Sequence, residues 1–537
     1  MKTVFSLLAL CLPVIALYAQ FLWNPVVFDD VGFFDGTAHE QYLETLFSFD
    51  LRWLPYASFE WTRALFGFDV IWFRLGNLAL HLATTITLFF FLRRLFERTL
   101  PVNKESAEIL SPHWLAFFGA LLFALHPAAV YAVGYLIQRS MLLATLFTLL
   151  TWRLFLEGLI RENQRWLLAS AATYFLAVIS KEHSIMAPAV TIALLLLVNN
   201  SQIRYQLKLI WPIFILYGLT GGFVIFQIKS RHILGQAYEP IAADLISTLG
   251  SGFDARLAYP LSMLTQCFLF FKYLWVWIAP SPAWMSIDMP QNFARSLWSW
   301  PEIAGLIGFV IFPVFAIRLL LQREAKGLLG FALLCPWLLF ATELSTIRIQ
   351  EPFVLYRSYL WMAGAFTVLP FLCQKLNARQ ATITLSLVVL FMMPLSWLRL
   401  TTFSHPILLW EDAARLVENT TDNRLGIDRV IYNRGLELGK TKHYAEAIED
   451  FTKAIKLNGY YIGDAYNNRS VAYKQTGQYL LALNDSNKAI ELAPKRPIYY
   501  LGKAHVLEAL NDSTGAMLAY KQSCILGLAD ACPKAQQ

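Results

Sequence analysis

The sequence predicts an all-α protein in two parts, a polytopic transmembrane helical bundle of about eleven spans followed by a soluble helical-repeat solenoid. Three observations predict it. Only 15% of the 537 residues are charged and 57% are hydrophobic, whereas a soluble domain is about a quarter charged. The apolar residues come in blocks, such as 190–198 and 385–395, and bilayer-length stretches of roughly 17–25 residues recur until about residue 400 and then stop. Beyond that point a repeat of about 34–35 residues begins.

In chain order, the first apolar stretch, 4–23, follows Lys2 and lacks a small-x-small cleavage site at Leu17-Tyr18-Ala19, so it reads as an uncleaved span. Further candidate spans fall at 70–92, 114–132, 141–157, 166–180, 184–199, 209–227, 302–321, 328–343, 359–373 and 381–398. Arg93, Arg94 and Arg98 follow the second span, and Arg161 and Arg165 the fourth. These basic loops, and with them the N-terminus, are expected in the cytoplasm. The Asp-rich loop 24–69 then lies outside. Residues 260–279 are apolar enough to cross, but Pro260, Lys272 and Pro280 interrupt or flank them. A full crossing would also move the basic segments 318–326 and 375–379 outside, so a re-entrant or interfacial segment is expected there. The odd count places the C-terminal tail outside. The organisation is therefore 1–400 in the membrane, a linker at 401–425 and repeats over 426–537. The net charge of +7 sits in short loops between spans, which argues topology and no nucleic-acid partner.

The repeats are legible residue by residue. Tyr444-Ala445-Glu446-Ala447-Ile448 recurs as Tyr479-Leu480-Leu481-Ala482-Leu483, Asn433-Arg434-Gly435 as Asn468-Arg469-Ser470, and a degenerate third copy holds Ala516 and Tyr520. With Pro494 closing the second copy, this is a tetratricopeptide pattern, whose small alanines let paired helices approach and whose groove suits a peptide or protein surface. Cys11, Cys267, Cys335 and Cys373 lie in apolar stretches; Cys524 and Cys532 lie in the tail, where they pair only in an oxidising compartment.

Candidate chemistry lies at the span ends, where ionisable groups are costly. Asp29 and Asp30 directly follow the first span. Paired carboxylates suit a cation or a general base, and like charges raise one pKa toward neutrality; a solvated loop cap is the plainer alternative. Gln138-Arg139-Ser140, Lys181-Glu182-His183 and Tyr356-Arg357 fall on the same outer side. Cations converging on two carboxylates suit a phosphate-linked donor and an incoming hydroxyl, although each cluster alone reads as a snorkelling anchor. Asn77 and His81, four apart, share one face of the second span. The sequence has no P-loop and no zinc spacing.

Several strings together resemble the transmembrane-and-tetratricopeptide protein O-mannosyltransferases and their bacterial relatives, of the GT-C class. They are Phe28-Asp29-Asp30, the Arg52 to Pro55 region, Phe73-Arg74-Leu75-Gly76-Asn77-Leu78 with His81, and Leu125-His126-Pro127. Tyr135-Leu136-Ile137-Gln138-Arg139-Ser140, Ser180-Lys181-Glu182, and Tyr273-Leu274-Trp275 with Pro280 and Asp288 belong with them. The segment from Tyr356 to Trp361 is similar to bacterial pilin and protein O-glycosyltransferases, with Glu351 the nearest acid before Arg357. The resemblance implies an inverting transfer of a sugar from a polyprenyl-phosphate carrier to a protein hydroxyl on the non-cytoplasmic face. It implies Asp29 or Asp30 as the catalytic aspartate, with Asp30 slightly the better match, and Arg139, Lys181 and Arg357 on the donor phosphate. Arg52, Asn77, His81, His126, Gln138, Glu182 and Asp288 are its further site candidates. The expected setting is a bacterial inner membrane with site and repeats periplasmic, or an endoplasmic reticulum membrane with both luminal. The expected partners are the polyprenyl-phosphate sugar lipid, a protein acceptor held by the repeats, and the membrane. The sequence requires no cofactor and leaves a divalent cation or other metal open. The rival reading is a non-enzymatic membrane scaffold whose repeats recruit partner proteins.

Overall fold

The computed structural model describes residues 2–34, 50–101, 110–198, 203–237, 239, 241–249, 253–418 and 424–535. The middle of the expected outer loop, 35–49, and linker residues 419–423 lie outside them. Every regular element among the described residues is a helix, and one isolated bridge joins Ala237 to Ile347.

Eight of these helices are long and apolar enough to cross a membrane, or nine if the bent pair Pro112–Ala124 and Pro127–Val133 counts as one. The 50° bend in that pair has a local cause. Pro127 supplies no N–H and holds His126 in extended backbone, at ψ 134°. Among the described residues, the count by length and composition falls below the expected eleven spans. Gln164–Ser180 and Ala187–Val198 are only 17 and 12 residues long. The stretch at 359–373 is divided among Leu355–Met362, a 3-10 segment Ala363–Val368 and Leu369–Cys373, with Gly364 packed directly on Cys335.

Residues 260–279 depart in the opposite sense. They form one unbroken helix, Ala258–Ile278. Pro260 stands in its first turn, where a missing N–H costs nothing. Lys272 is accommodated by a hydrogen bond of 2.7 Å to Gln291 Oε1 and by the Phe353 ring 5.1 Å away. Neither residue interrupts the helix.

Large apolar side chains cover the outside of several long helices, among them Val310 and Ile311 on Glu302–Leu320, and Leu387, Leu390 and Phe391 on Ala378–Thr402. Each is about 60% exposed. A water-soluble surface rarely carries so continuous an apolar face.

The repeats form three antiparallel helix pairs: Ile427–Lys440 with Tyr444–Leu457, Ile462–Gln475 with Tyr479–Leu492, and Pro497–Ala509 with Ser513–Ile525. Ala447, Phe451, Ala482, Ala516 and Tyr520 are buried between them. The recurring Arg of Asn-Arg-Gly/Ser has a specific partner in each copy. Arg434 is bidentate on Asp450 at 2.7 and 2.8 Å, and Arg469 on Asp485 at 2.7 and 2.9 Å. Planar guanidinium and carboxylate groups thus tie the first helix to the second in the first two repeats. Cys524 and Cys532 form a disulfide after the third pair.

The expected linker is partly a helix, Pro406–Arg415, anchored through Asp412 to Arg399 at 2.8 Å. Its Trp410 packs edge-on against Phe28, with ring centroids 5.2 Å apart. The repeats are seated on the helical domain. Arg429 donates to both oxygens of Asp288, at 2.7 and 2.8 Å, and to the Gln350 carbonyl at 2.7 Å.

Candidate functional site

Two cavities meet where the loop ends, the apolar helices and the first repeat converge. The polar one, of about 670 Å³, is lined by Asp29, Arg52, Gln138, Lys181, Arg357 and Arg429, with Glu239, Arg348, Glu351, Tyr356, Asn433 and Tyr461 among its other walls. The second, of about 630 Å³, is largely apolar and is lined by Ile185, Met186, Ile225, Ile228, Ile233 and Leu234. The cavities share Arg52, Tyr56, His183 and Arg348.

The two aspartates part company. Asp30 is fully buried, and its oxygens accept the Leu136 and Ile137 N–H groups at 3.3 and 2.9 Å. Burial pushes its carboxyl up to about 7, although those N–H groups and the Arg74 guanidinium pull the other way. Asp30 thus fixes the turn that carries Gln138, and does not line the cavity. Asp29 does line it. Phe28, just before it, has φ +55°, a left-handed conformation that costs a bulky residue on the order of 1–3 kcal/mol. Stacking on Tyr135 and an edge-on contact with Trp410 hold Phe28 there and turn Asp29 inward. Burial raises the Asp29 carboxyl above the ordinary range; the Tyr135 hydroxyl and Arg429 lower it in part, and Asp288 adds to the rise. Desolvation, and not repulsion within the Asp pair, is the leading cause in each case.

The three expected phosphate-binding cations also separate. Arg139 is 3% exposed and lies outside both cavities. Its Nε donates to Asn77 Oδ1, Nη1 to the Ser58 carbonyl and Thr62 hydroxyl, and Nη2 to the Phe73 carbonyl, all within 3.1 Å. Gly76 makes room for it, since a Cβ there would lie 2.9 Å from Nη2. Arg139 is a structural tie, and so is Arg74, which donates to the Asn24, Pro25 and Gly134 carbonyls. Arg139→Ala strips the buried Asn77 and Phe73 acceptors of their donor, at about 1–3 kcal/mol each. Its expected outcome is a lower melting temperature in detergent with unchanged donor affinity in the folded fraction. A donor defect at native melting temperature would contradict it.

Arg357 lines the cavity but is engaged by acids, at 3.1 Å from Glu343, 3.7 Å from Glu239 and 3.8 Å from Glu351. Arg348 lies 3.3 Å from the same Glu343, and His183 Nε2 lies 2.8 Å from it. Lys181 is different. It forms no ion pair among the described residues; its Nζ lies 3.4 Å from both Gln138 Oε1 and Ser140 Oγ, with the Tyr356 ring 5.5 Å away. Burial, with Arg52 beside it, pushes its ammonium down to about 7. It is the cation best placed to receive an anion.

Among the other expected residues, Arg52 and Glu182 pair with one another, Arg52 Nε donating at 3.1 Å. Asn77 bridges Arg139 to the Leu136 carbonyl. His81 lies between the Tyr359 hydroxyl and the Ala124 carbonyl, and His126 stacks on Trp277 at 4.3 Å. Both histidines are core residues away from the cavities. Asp288 is consumed by Arg429. Among the described residues, no three His, Cys, Asp or Glu side chains are grouped to hold a metal ion.

The first repeat thus contributes a wall to this site, and comparison with known families identifies that wall. Residues 428–461 and 463–496 match the tetratricopeptide repeat. These two copies are tetratricopeptide repeats. Among solved structures, the chain has a match to an APC/C hetero-tetramer, Cut9–Hcn1, at 11% identity and a TM-score of 0.23, over 79% of this chain and 89% of that one. Similarity at that level carries no argument about fold or function.

Sequence reading missed Glu239, Glu343, Arg348 and Arg429. Glu343 carried a usable sign, because it is an ionisable residue at the end of an apolar stretch. Arg429 carried another. The position one repeat later holds Asp464, so the arginine breaks the repeat's own pattern.

Proposed function

We propose that this chain is a membrane glycosyltransferase of the GT-C kind, moving a sugar from a polyprenyl-phosphate carrier to a hydroxyl of a protein acceptor. The observation that carries this reading is the junction of the two cavities. A largely apolar chamber opens beside a polar one that holds an inward carboxylate, Asp29, and an ammonium, Lys181, that forms no ion pair among the described residues. A lipid phosphate has that division of character. The prenyl chain takes the apolar side and the phosphate lies against Lys181.

In the proposed step the acceptor oxygen forms a bond to the anomeric carbon as the bond from that carbon to the phosphate oxygen breaks. The hydroxyl proton passes to Asp29, and the phosphate leaves on its lipid with its charge held by Lys181. Attack opposite the leaving phosphate inverts the anomeric centre.

The membrane placement is supported by the eight long apolar helices and by their exposed apolar faces. Asp29 and Arg429 line one cavity, so any bilayer leaves site and first repeat on the same face whatever the number of crossings. The Cys524–Cys532 disulfide supports an oxidising compartment for that face.

Intact-mass spectrometry of envelope and secreted proteins, from cells with and without this chain, tests the proposal. Sugar-sized mass increments should vanish from specific proteins in its absence. Identical mass profiles would favour the scaffold reading instead.

A further inference from the structure

The polar cavity has one wall that the transfer chemistry leaves unused. The tetratricopeptide helix Ile427–Lys440 presents Arg429 and Asn433 to it, one turn apart on a single face, and Tyr461 adds its side chain from the end of the first repeat. Arg429 is committed to Asp288 and to the Gln350 carbonyl. Asn433 and the Tyr461 hydroxyl make no hydrogen bond among the described residues, although both are half-buried. Tyr461 is nonetheless held in place. Its ring stacks on Tyr432 at 5.0 Å and 21°, and its backbone N–H is accepted by Asp428. The Tyr432 hydroxyl in turn accepts from Asn468 Nδ2 at 2.9 Å.

We infer that the first tetratricopeptide repeat is the acceptor wall of the reaction cavity, and that an extended hydroxyl-bearing polypeptide lies along it, with its main chain held by Asn433 and Tyr461. A side-chain amide offers one acceptor and two donors, which matches the N–H and C=O of a peptide unit, and a tyrosine hydroxyl serves either role. The cavity supports this division of its walls. The donor side is the one continuous with the apolar chamber, through Arg52 and His183. The repeat side is the face of a solenoid that continues into the second repeat, a surface suited to a polypeptide partner. The inference rests on the proposed transfer for Asp29 to have a target, and goes beyond it by placing recognition inside the cavity instead of along the remote repeats.

The test uses the full chain in detergent and a fluorescein-labelled peptide of alternating Ser and Ala, read by anisotropy so that binding is seen without transfer. Asn433→Ala should weaken peptide binding about tenfold, and Asn433→Trp, whose bulk takes up cavity space, should abolish it; thermal melting verifies that both variants fold. Tyr461→Phe, which deletes only the hydroxyl, should weaken binding severalfold. Native-strength binding by Asn433→Trp, or no binding by the native chain, overturns the inference. The two proposals fail separately. Peptide binding that depends on Asn433 without any sugar transfer removes the enzymatic reading and leaves the acceptor wall. Transfer at the native rate by Asn433→Trp does the reverse.

Discussion

Asp29→Asn is expected to lower glycan transfer by about 10²–10⁴, the usual worth of a general base, or roughly 3–5 kcal/mol of barrier, without changing the melting temperature. A hydroxyl is a poor nucleophile at neutral pH, and Asp29 is the aspartate of the pair that reaches the cavity. Asparagine preserves its shape and removes its basicity. Asp30→Asn should behave in the opposite way. Both Asp30 oxygens accept backbone N–H groups, from Leu136 and Ile137. An amide can accept only one and sets its own NH₂ against the other, at about 1–3 kcal/mol for a buried donor left unpaired. Its yield and melting temperature should fall, with transfer per folded molecule retained. The pH dependence separates the two residues further. The Asp29 carboxyl is raised above the ordinary range, so transfer should be lost as pH falls through that raised value. Asp30, raised to about 7, favours the folded state fully below the ordinary carboxylate pKa, and that contribution disappears as pH rises through about 7. Equal loss of transfer in the two Asn variants, at unchanged stability, would sink the assignment.

That distinction shows where the sequence stops being informative. Two adjacent aspartates have the same local chemistry, and which one faces a cavity is fixed by the left-handed backbone at Phe28 and by rings on Tyr135 and Trp410, far apart in the chain. The helices and repeats were legible because apolar periodicity and alanine spacing are local patterns. Arg139 and Lys181 were indistinguishable as cations at span ends. Arg139 turned out to be consumed by carbonyls and hydroxyls of Ser58, Thr62 and Phe73, none of which a sequence marks as its partner. Residues 260–279 show the same gap. Lys272 looked like an obstacle to a long helix because its acceptor, Gln291, and its ring, Phe353, come from elsewhere.

Arg429→Met is expected to release the repeats from the helical domain. The guanidinium is buried on Asp288, and removing one member of a buried pair leaves the other charge uncompensated, typically at a cost of about 3–5 kcal/mol. The junction should become a site of rapid limited proteolysis near 401–426, with a lower melting temperature and little transfer, because one wall of the cavity has moved away. Replacing both members, Arg429→Met with Asp288→Leu, should recover most of the stability, since an apolar pair of similar volume replaces a buried ion pair at little cost. The rising limb of the pH–rate profile supplies a reading that loss of packing alone does not reproduce. Asp29 faces Tyr135, Arg429, Asp288, Glu351 and Tyr356. Arg429 lowers its pKa and Asp288 raises it. In whatever fraction stays docked, Arg429→Met should therefore move the limb to higher pH and Asp288→Asn to lower pH, with the double variant between them. Native proteolysis and melting in Arg429→Met, with no movement of the limb, would show that this ion pair neither seats the repeats nor reaches Asp29.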